Sequence, residues 1–172
     1  MKVNEKYLNF YYETIGEVPE PVIDPKKTAL LIVDMQNQFV LRDSPEAEAF
    51  KAAGEWERWI PFHDRLDEIV IPNNEKLLAA FRKYNMPVTY ARIACEREDG
   101  EDRSPVQKSD GWNGIFLPAK NPETQIIDQL TPIKNEMVFD KTTDSVTTGT
   151  NYLTILRFMG IERVIVTGIV TD

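Results

Sequence analysis

The sequence has very few residues of the two types that most often build metal sites. Among its 172 residues there is one cysteine, Cys95, and one histidine, His63. A single cysteine excludes an internal disulfide and a metal site made of several thiolates, and a single histidine excludes a site that needs two imidazoles. This usage is typical of a reducing compartment. We expect His63 to be structural, because the sequence supplies no partner for it.

The chain also lacks a long apolar run and an excess of basic charge. Its longest apolar run, Ala29 to Val33, is far shorter than the ~20 residues that span a bilayer. The first residues carry charges where a signal peptide would be apolar. With 20 Lys and Arg against 28 Asp and Glu, the net charge is −8, which repels phosphate backbones. We therefore expect a cytoplasmic protein that binds neither nucleic acid nor membranes.

What is present is enough apolar material for one folded domain, preceded by a different kind of segment. Hydrophobic residues make up 42% of the chain. Residues 1–27 are instead polar and aromatic and contain Pro19, Pro21 and Pro25, which disfavour helix and sheet. We predict an extended N-terminal arm over 1–27, which covers either its own domain or a neighbouring subunit, and a folded domain over 28–172.

Apolar runs and helical patterns alternate through this domain. Strands are predicted at 28–34, 88–93, 136–141 and 163–169, and helices at 45–60, 75–84 (capped by Asn73 or Asn74), 126–130 and 148–159. An exposed loop is predicted at 96–111. The first and last strands are apolar on both faces, as in parallel sheets covered on two sides. The pattern predicts an α/β fold with a doubly wound, mainly parallel sheet and helices on both faces, a Rossmann-like three-layer sandwich.

Polar residues follow the strands where such folds place their sites. Asp34 and Lys141 each lie at the end of a predicted strand, and Val170 to Asp172 follow another. Taken alone, Asp34 would more often cap a turn and Lys141 would more often be a solvated charge. Their shared position at the carboxyl edge favours a function. No glycine-rich turn follows the first strand, so a dinucleotide site is disfavoured.

Three segments in this order carry a family resemblance: VDMQNQF, FDKTTDS and TGTNYLTILRFMGIERVIVTGIVTD. From about Thr28 to Asp172 the sequence resembles the isochorismatase-like cysteine hydrolase superfamily. Within it, the chain is most similar to the amidohydrolase branch of N-carbamoylsarcosine, biuret and ureidoacrylate amidohydrolases. The resemblance implies hydrolysis of a C–N bond in a small amide or ureido compound through an acyl-enzyme intermediate.

The resemblance also implies roles for individual residues. Asp34 matches the aspartate that accepts the thiol proton, and Lys141 matches the lysine that stabilises the thiolate. The nucleophilic cysteine is implied two residues after Asp172. The chain ends at Asp172, directly after a predicted core strand, so we expect the domain to be incomplete at its C-terminus. Family members have a cis peptide bond at the position of Ile169-Val170, which directs N–H groups at the substrate oxygen.

Further substrate-binding candidates lie near these motifs, each with an alternative. Phe39 forms a wall of the substrate site or packs in the core. Trp112 faces the pocket or anchors its loop. Arg92 binds a substrate carboxylate or pairs with the acidic loop. Asp172 is expected to cap a turn or helix, and Cys95 matches no motif position.

The segment ARIACERED stands where nicotinamidases carry a DWHP-like metal-binding segment. We therefore expect a metal-independent enzyme without a cofactor. The resemblance further implies a homodimer or homotetramer. Two alternatives stay open: an isochorismatase-type vinyl-ether hydrolase with Asp34 as general acid, and a non-catalytic family member that serves binding or assembly.

Overall fold

A computed structural model of the chain describes residues 9–12, 22–109 and 114–170. Within them lies a parallel sheet of four strands in the order β3-β2-β1-β4. The strands are β1 (Thr28–Val33), β2 (Val88–Ile93), β3 (Met137–Lys141) and β4 (Arg163–Gly168). All four coincide with the predicted strands to within one or two residues. The doubly wound parallel sheet predicted from the sequence is confirmed.

The register of the sheet brings the ends of the strands to one edge. Val33 pairs with Ala91 on one side and with Gly168 on the other, and Ile93 pairs with Lys141. The residues that follow Val33 and Gly168 therefore emerge at the same edge of the sheet as the last residue of β3. This carboxyl edge is where a parallel α/β sheet binds its ligands.

The helices are α1 (Asn37–Val40), α2 (Pro45–Ala52), α3 (Trp56–Arg65), α4 (Ile71–Lys83), α5 (Val146–Gly149) and α6 (Tyr152–Phe158). A π-helical segment, Leu66–Val70, joins α3 to α4. Short 3₁₀ turns lie at Phe10–Tyr12, Pro122–Thr124 and Asp128–Leu130. No helix in the described ranges combines the length and the apolar character that a bilayer crossing requires.

Two cores cover the two faces of the sheet, because β1 alternates its side chains between them. On one face Leu30 and Ile32 pack in a cluster with Leu78 and Phe81 of α4. On the other face Leu31 joins a cluster with residues of α5 and α6, among them Val146, Tyr152 and Leu156. Every apolar residue of β1 from Ala29 to Ile32 is buried. The arrangement is the predicted three-layer sandwich.

The stretch 45–60 is helical over most of its length, as predicted, but it is divided between α2 and α3. Gly54 adopts φ +72, a conformation that favours glycine, and the chain turns there between the two helices. The cap predicted at Asn73 or Asn74 is wrong, since the chain is helical from Trp56 to Lys83. Asn74 is buried inside this stretch, and its Nδ2 donates a hydrogen bond to the Val70 carbonyl (2.8 Å).

The predicted helix over 148–159 is divided into α5 and α6. Thr150 between them is extended (φ −141, ψ 176), and its hydroxyl donates to the Val146 carbonyl while accepting from the amide of Tyr152. A threonine hydroxyl that takes both roles competes with helical hydrogen bonding. Gly160, at φ +69, follows α6 as predicted.

The N-terminal arm lies mostly outside the described residues. Of its described residues, Phe10–Tyr12 form a 3₁₀ turn, in which the side chains of Phe10 and Tyr11 are exposed. The amide of Tyr11 donates to the Asn9 side-chain oxygen (3.0 Å), a local bond that favours a turn.

Candidate active site

Asp34 and Lys141 form an ion pair at the carboxyl edge of the sheet. Lys141 Nζ donates a hydrogen bond to Asp34 Oδ2 over 2.9 Å. The lysine side chain is 1% exposed and the aspartate side chain 16% exposed. The structure thus brings together the two residues that the sequence placed at strand ends. Asp34 directly follows β1, and Lys141 is the last residue of β3.

The backbone holds Asp34 in an uncommon conformation. Its φ is +53, in the left-handed region, which Asp tolerates better than most residues. The Asp34 amide donates to the Ala91 carbonyl (2.9 Å), so β2 continues to bind the chain where β1 ends. The turn that follows directs the Asp34 side chain toward β3.

The side chain of Gln36 holds this turn in place through buried hydrogen bonds. Its fully buried side chain donates from Nε2 to the carbonyls of Ile93 (2.9 Å) and Thr124 (3.0 Å). Its Oε1 accepts from the Ile93 amide (2.8 Å). Two of these bonds tie the Asp34 turn to the end of β2, and the third ties it to the 3₁₀ turn Pro122–Thr124. No sequence pattern indicates this role of Gln36.

Two opposing effects set the protonation of Asp34. Burial raises the pKa of its carboxyl above the ordinary value of 3.8, while the charge and hydrogen bond of Lys141 act against this rise. Within the described residues, Asp34 Oδ1 is buried and has no hydrogen-bond partner. The carboxyl group therefore has one oxygen held by an ammonium and one available to exchange a proton.

A cavity of about 800 Å³ opens at this pair. Its wall combines aromatic rings, three carboxylates and a few apolar residues: Val33, Asp34, Gln38, Phe39, Ser44, Glu46, Ala47, Phe50, Trp59, Phe62, His63, Ile93, Ile115, Lys141, Asp144, Ile169 and Val170. The volume suits a small-molecule ligand. Phe39 is a wall residue, which agrees with the first of its two predicted roles.

Ile169 and Val170 close the cavity beside Asp34. The peptide bond between them is cis. The Ile169 amide donates to the Val33 carbonyl (3.1 Å), so this turn is attached to the end of β1. Gly168, at φ +121, lies so close to Val33 that a side chain would collide with the Val33 backbone. The two turns at the site are therefore packed against each other.

Arg92 is a correction to the predicted site. It is not among the residues of the described chain that line the cavity. Its guanidinium instead makes a two-bond ion pair with Asp140 on β3 and donates to Gln125 Oε1 (2.8 Å). Because its side chain is committed to these partners, the predicted binding of a substrate carboxylate is not supported. Its partner is a strand residue rather than the acidic loop.

The other sequence candidates fall in different places. Trp112 and Asp172 lie outside the described residues. Cys95 is buried, its backbone bridges to Pro118, and burial raises the pKa of its thiol. It does not line the cavity formed by the described residues. In those residues no group of three or more His, Cys, Asp or Glu side chains has an arrangement suited to a metal ion.

Several cavity residues were missed from the sequence. His63 was predicted to lack a partner, but its Nδ1 lies 3.3 Å from the Val40 carbonyl and its ring packs against Trp56 and Phe62 while lining the cavity. Burial lowers the pKa of His63.

Glu46 and Phe50 are four residues apart on α2, a spacing that puts them on one helix face. The sequence shows this spacing, but it does not show that this face of the helix points into the cavity.

Comparison with known proteins agrees with this architecture. The chain is 29% identical to the ureidoacrylate amidohydrolase RutB of Agrobacterium fabrum, over 92% of this chain and 71% of the relative. The crystal structure of a cysteine hydrolase from Pseudomonas syringae pv. phaseolicola 1448A is 25% identical, with a TM-score of 0.66, and covers 89% of this chain and 66% of that one. N-carbamoylsarcosine amidase from Thermoplasma acidophilum is 26% identical, with a TM-score of 0.54, over 83% and 67%.

The chain spans 64 to 71% of the length of the curated relatives it matches. The sequence profile of the Isochorismatase domain matches residues 28–172, which include all four strands, Asp34 and Lys141. The chain therefore belongs to the isochorismatase family.

Proposed function

We propose that this protein is a cysteine amidohydrolase that cleaves a C–N bond of a small amide or ureido compound. Similarity to a ureidoacrylate amidohydrolase and to an N-carbamoylsarcosine amidase supports the bond type. The buried Asp34–Lys141 pair at the mouth of a ligand-sized cavity supports a catalytic site at this edge. The nucleophile in this proposal is a cysteine two positions after Asp172.

The proposed chemistry begins with proton transfer. A thiol with a pKa of ~8.5 is mostly protonated at neutral pH and requires a base to become a nucleophile. Asp34 Oδ1 accepts the thiol proton, and the ammonium of Lys141 stabilises the resulting anionic charge. The thiolate then attacks the substrate carbonyl carbon to form a tetrahedral intermediate.

Collapse of the intermediate breaks the C–N bond. The leaving nitrogen takes the proton from Asp34 and departs as ammonia or an amine, which leaves a thioester on the cysteine. Water, deprotonated by Asp34, then hydrolyses the thioester and regenerates the thiol. The position of Ile169 and Val170 at the cavity suits the stabilisation of the carbonyl oxygen by backbone N–H groups.

One observation carries the proposal. Asp34 has one oxygen bound by Lys141 and the other buried without a partner among the described residues. Buried carboxylate oxygens are normally satisfied, so an unsatisfied one beside a cavity is a feature of a site that handles protons.

A second function is favoured by the raised pKa of Asp34. A carboxyl that holds its proton to higher pH is suited to general-acid catalysis, which an isochorismatase-type vinyl-ether hydrolase requires. The residue two positions after Asp172 distinguishes the two: cysteine supports the amidohydrolase, whereas glycine or alanine there supports the vinyl-ether hydrolase.

The experiment is to trap the acyl-enzyme in the full-length protein. Incubation with a small amide library followed by acid quench and peptide mass spectrometry should show an acyl group on the cysteine after Asp172, with ammonia released. Cys95→Ala serves as the control and should leave the adduct in place. An adduct on Cys95, or ammonia release without a cysteine adduct, contradicts the mechanism.

Dialysis against a chelator should leave turnover unchanged, because the proposed enzyme is metal-independent. A loss of turnover that added metal restores would contradict this.

A further inference from the structure

The cavity has an excess of negative groups that the proposed chemistry does not use. Asp34, Glu46 and Asp144 line it, and among the described residues its one lysine, Lys141, is bound to Asp34. No arginine of the described chain lines it. The Asp34–Lys141 pair is close to neutral by itself, so Glu46 adds a negative charge to the rest of the wall. This charge disfavours an anionic substrate.

Glu46 is the carboxylate placed to contact a ligand. It lies in the first turn of α2, whose N-cap is Ser44 (the Ser44 hydroxyl accepts from the Ala47 amide), so Glu46 is not used as a cap. Its side chain is partly buried, and no partner within the described residues binds its carboxylate. Burial raises the pKa of the Glu46 carboxyl, and the positive end of the helix acts against this rise by favouring the ionised form of an acid in the first turn.

Aromatic rings share the cavity wall with this carboxylate. Phe50 lies one helical turn after Glu46 and stacks on Trp59, with ring centroids 4.3 Å apart. Trp59 in turn contacts the ring of Phe62 edge to face (5.9 Å). All three line the cavity together with Glu46. A carboxylate beside a cluster of aromatic rings is a combination that binds organic cations, because the ring quadrupole also attracts positive charge.

We propose that Glu46 and the ring cluster Phe50–Trp59–Phe62 select substrates that carry a cationic amine, positioned away from the scissile carbonyl. This inference rests on the proposed function for the identity of the reaction, but the cation subsite itself does not depend on it. The substrate class is then an amide or ureido compound with an ammonium substituent. The Asp34–Lys141 pair acts on the carbonyl end, and Glu46 binds the amine end.

The test compares three amides of similar size that differ in terminal charge: β-alaninamide (cationic), butyramide (neutral) and succinamate (anionic). The full-length protein should show a kcat/KM for β-alaninamide at least about tenfold above that for butyramide, since a charge-assisted bond in a partly buried site is worth about one factor of ten. Succinamate should be the poorest substrate. Glu46→Gln should bring the cationic and neutral amides to within about threefold of each other, through a fall in the kcat/KM for β-alaninamide.

Two further variants control this result. Glu48→Gln, an exposed acid on the same helix that pairs with Lys51, should leave the preference intact. Glu46→Asp, which keeps the charge on a shorter side chain, should retain part of the preference. An unchanged cationic-to-neutral ratio in Glu46→Gln, or succinamate as the best substrate, overturns the inference.

Binding of propylammonium separates this inference from the proposed reaction, because it has no bond to hydrolyse. Titration by calorimetry or NMR should show binding to the wild-type protein and to Glu48→Gln, weakened about tenfold in Glu46→Gln. If no amide is hydrolysed but this pattern is found, the cation subsite stands while the amidohydrolase proposal fails. If amides are hydrolysed but propylammonium binds wild type and Glu46→Gln equally, the subsite is overturned and the reaction stands.

Discussion

Lys141 Nζ reaches Asp34 Oδ2 across an intervening strand. The two residues are 107 positions apart in the chain, and β2 lies between the strands β1 and β3 that carry them. Two strand spacings are about 10 Å, which is within reach of a long lysine side chain and an aspartate that point toward each other over the strand ends. The pair therefore joins β1 and β3 without a direct backbone contact.

Breaking this pair should destabilise the protein. We predict that Lys141→Met lowers the free energy of unfolding at pH 7 by about 3 kcal/mol, because it leaves a buried carboxylate without its cation. The double variant Asp34→Asn/Lys141→Met should recover at least half of that loss, since no buried charge remains, and asparagine also tolerates the positive φ of position 34. Urea denaturation measures both.

Lys27→Met is the matched control, since it breaks an ion pair with Glu162 that is about half exposed. Its unfolding midpoint should match that of the wild type. Equal midpoints for Lys141→Met and Lys27→Met would show that the buried pair has no special role in stability.

Gly168 should tolerate no side chain. Its φ is +121, and a Cβ there would collide with the backbone of Val33 and lie 2.7 Å from the Val33 nitrogen. Gly168→Ala should therefore separate the ends of β1 and β4 and cost more than about 3 kcal/mol of stability.

Gly54→Ala isolates the cost of the backbone conformation alone, because φ is +72 there but no atom lies within 4 Å of the added carbon. Gly54→Ala should lower the free energy of unfolding by about 1 kcal/mol. Thermal unfolding of both variants measures the difference, and equal losses would remove the steric explanation.

We expect the side chain of Gln36 to hold the turn at Asp34 in place. Gln36→Ala leaves three buried backbone groups without partners, two carbonyls and one amide. We expect a loss of about 3 kcal/mol in stability together with loss of activity.

Asn37→Ala removes one exposed bond, from Asn37 Nδ2 to the Pro122 carbonyl, and should cost less than about 1 kcal/mol. Chemical denaturation of the two variants in parallel provides the comparison. A Gln36→Ala protein as stable as Asn37→Ala would contradict the positioning role.

The pH dependence of turnover should report the environment of Asp34. The ionised carboxylate is the proton acceptor in the proposed reaction, and burial raises its pKa above 3.8. The acid limb of the kcat/KM profile should therefore fall with a midpoint above 3.8, as protonation removes the base. Circular dichroism at each pH confirms that the protein stays folded. Constant kcat/KM down to pH 3.8 in a folded protein would exclude Asp34 as the base.

Much of the sheet could be predicted because its signals are local. The runs at Thr28–Val33 and Arg163–Gly168 are short and rich in branched residues, which predicts strands. Thr28–Val33 is the buried strand that this pattern predicts, whereas Arg163–Gly168 lies at the edge of the four-stranded sheet, where none of its residues is buried and Val166 is 65% exposed. Asp34 and Lys141 were candidates because parallel strands end at a common edge. The position of β2 between β1 and β3 is set by the order of the strands in the sheet, and no local sequence pattern predicts that order.

The helical layer was predicted less well because its limits depend on packing. Asn73 and Asn74 resemble a helix start, yet Asn74 is buried within a helical stretch and satisfied by the Val70 carbonyl. Arg92 stood at a strand end like Asp34, but its ion pair with Asp140 on the adjacent strand takes it out of the cavity. Glu46, Phe50 and Trp59 line the cavity because of the way α2 and α3 pack in the fold. Local sequence patterns do not specify this packing.

The proposed catalytic role of Asp34 is tested most directly by ammonia release from an amide substrate in the full-length Asp34→Asn protein. Asparagine keeps the size of the side chain and suits the local backbone, but it cannot accept the thiol proton. We expect kcat/KM to fall by about a thousandfold or more, the range typical of a lost general base, in a protein whose circular dichroism is unchanged. Turnover within tenfold of the wild type would contradict the account.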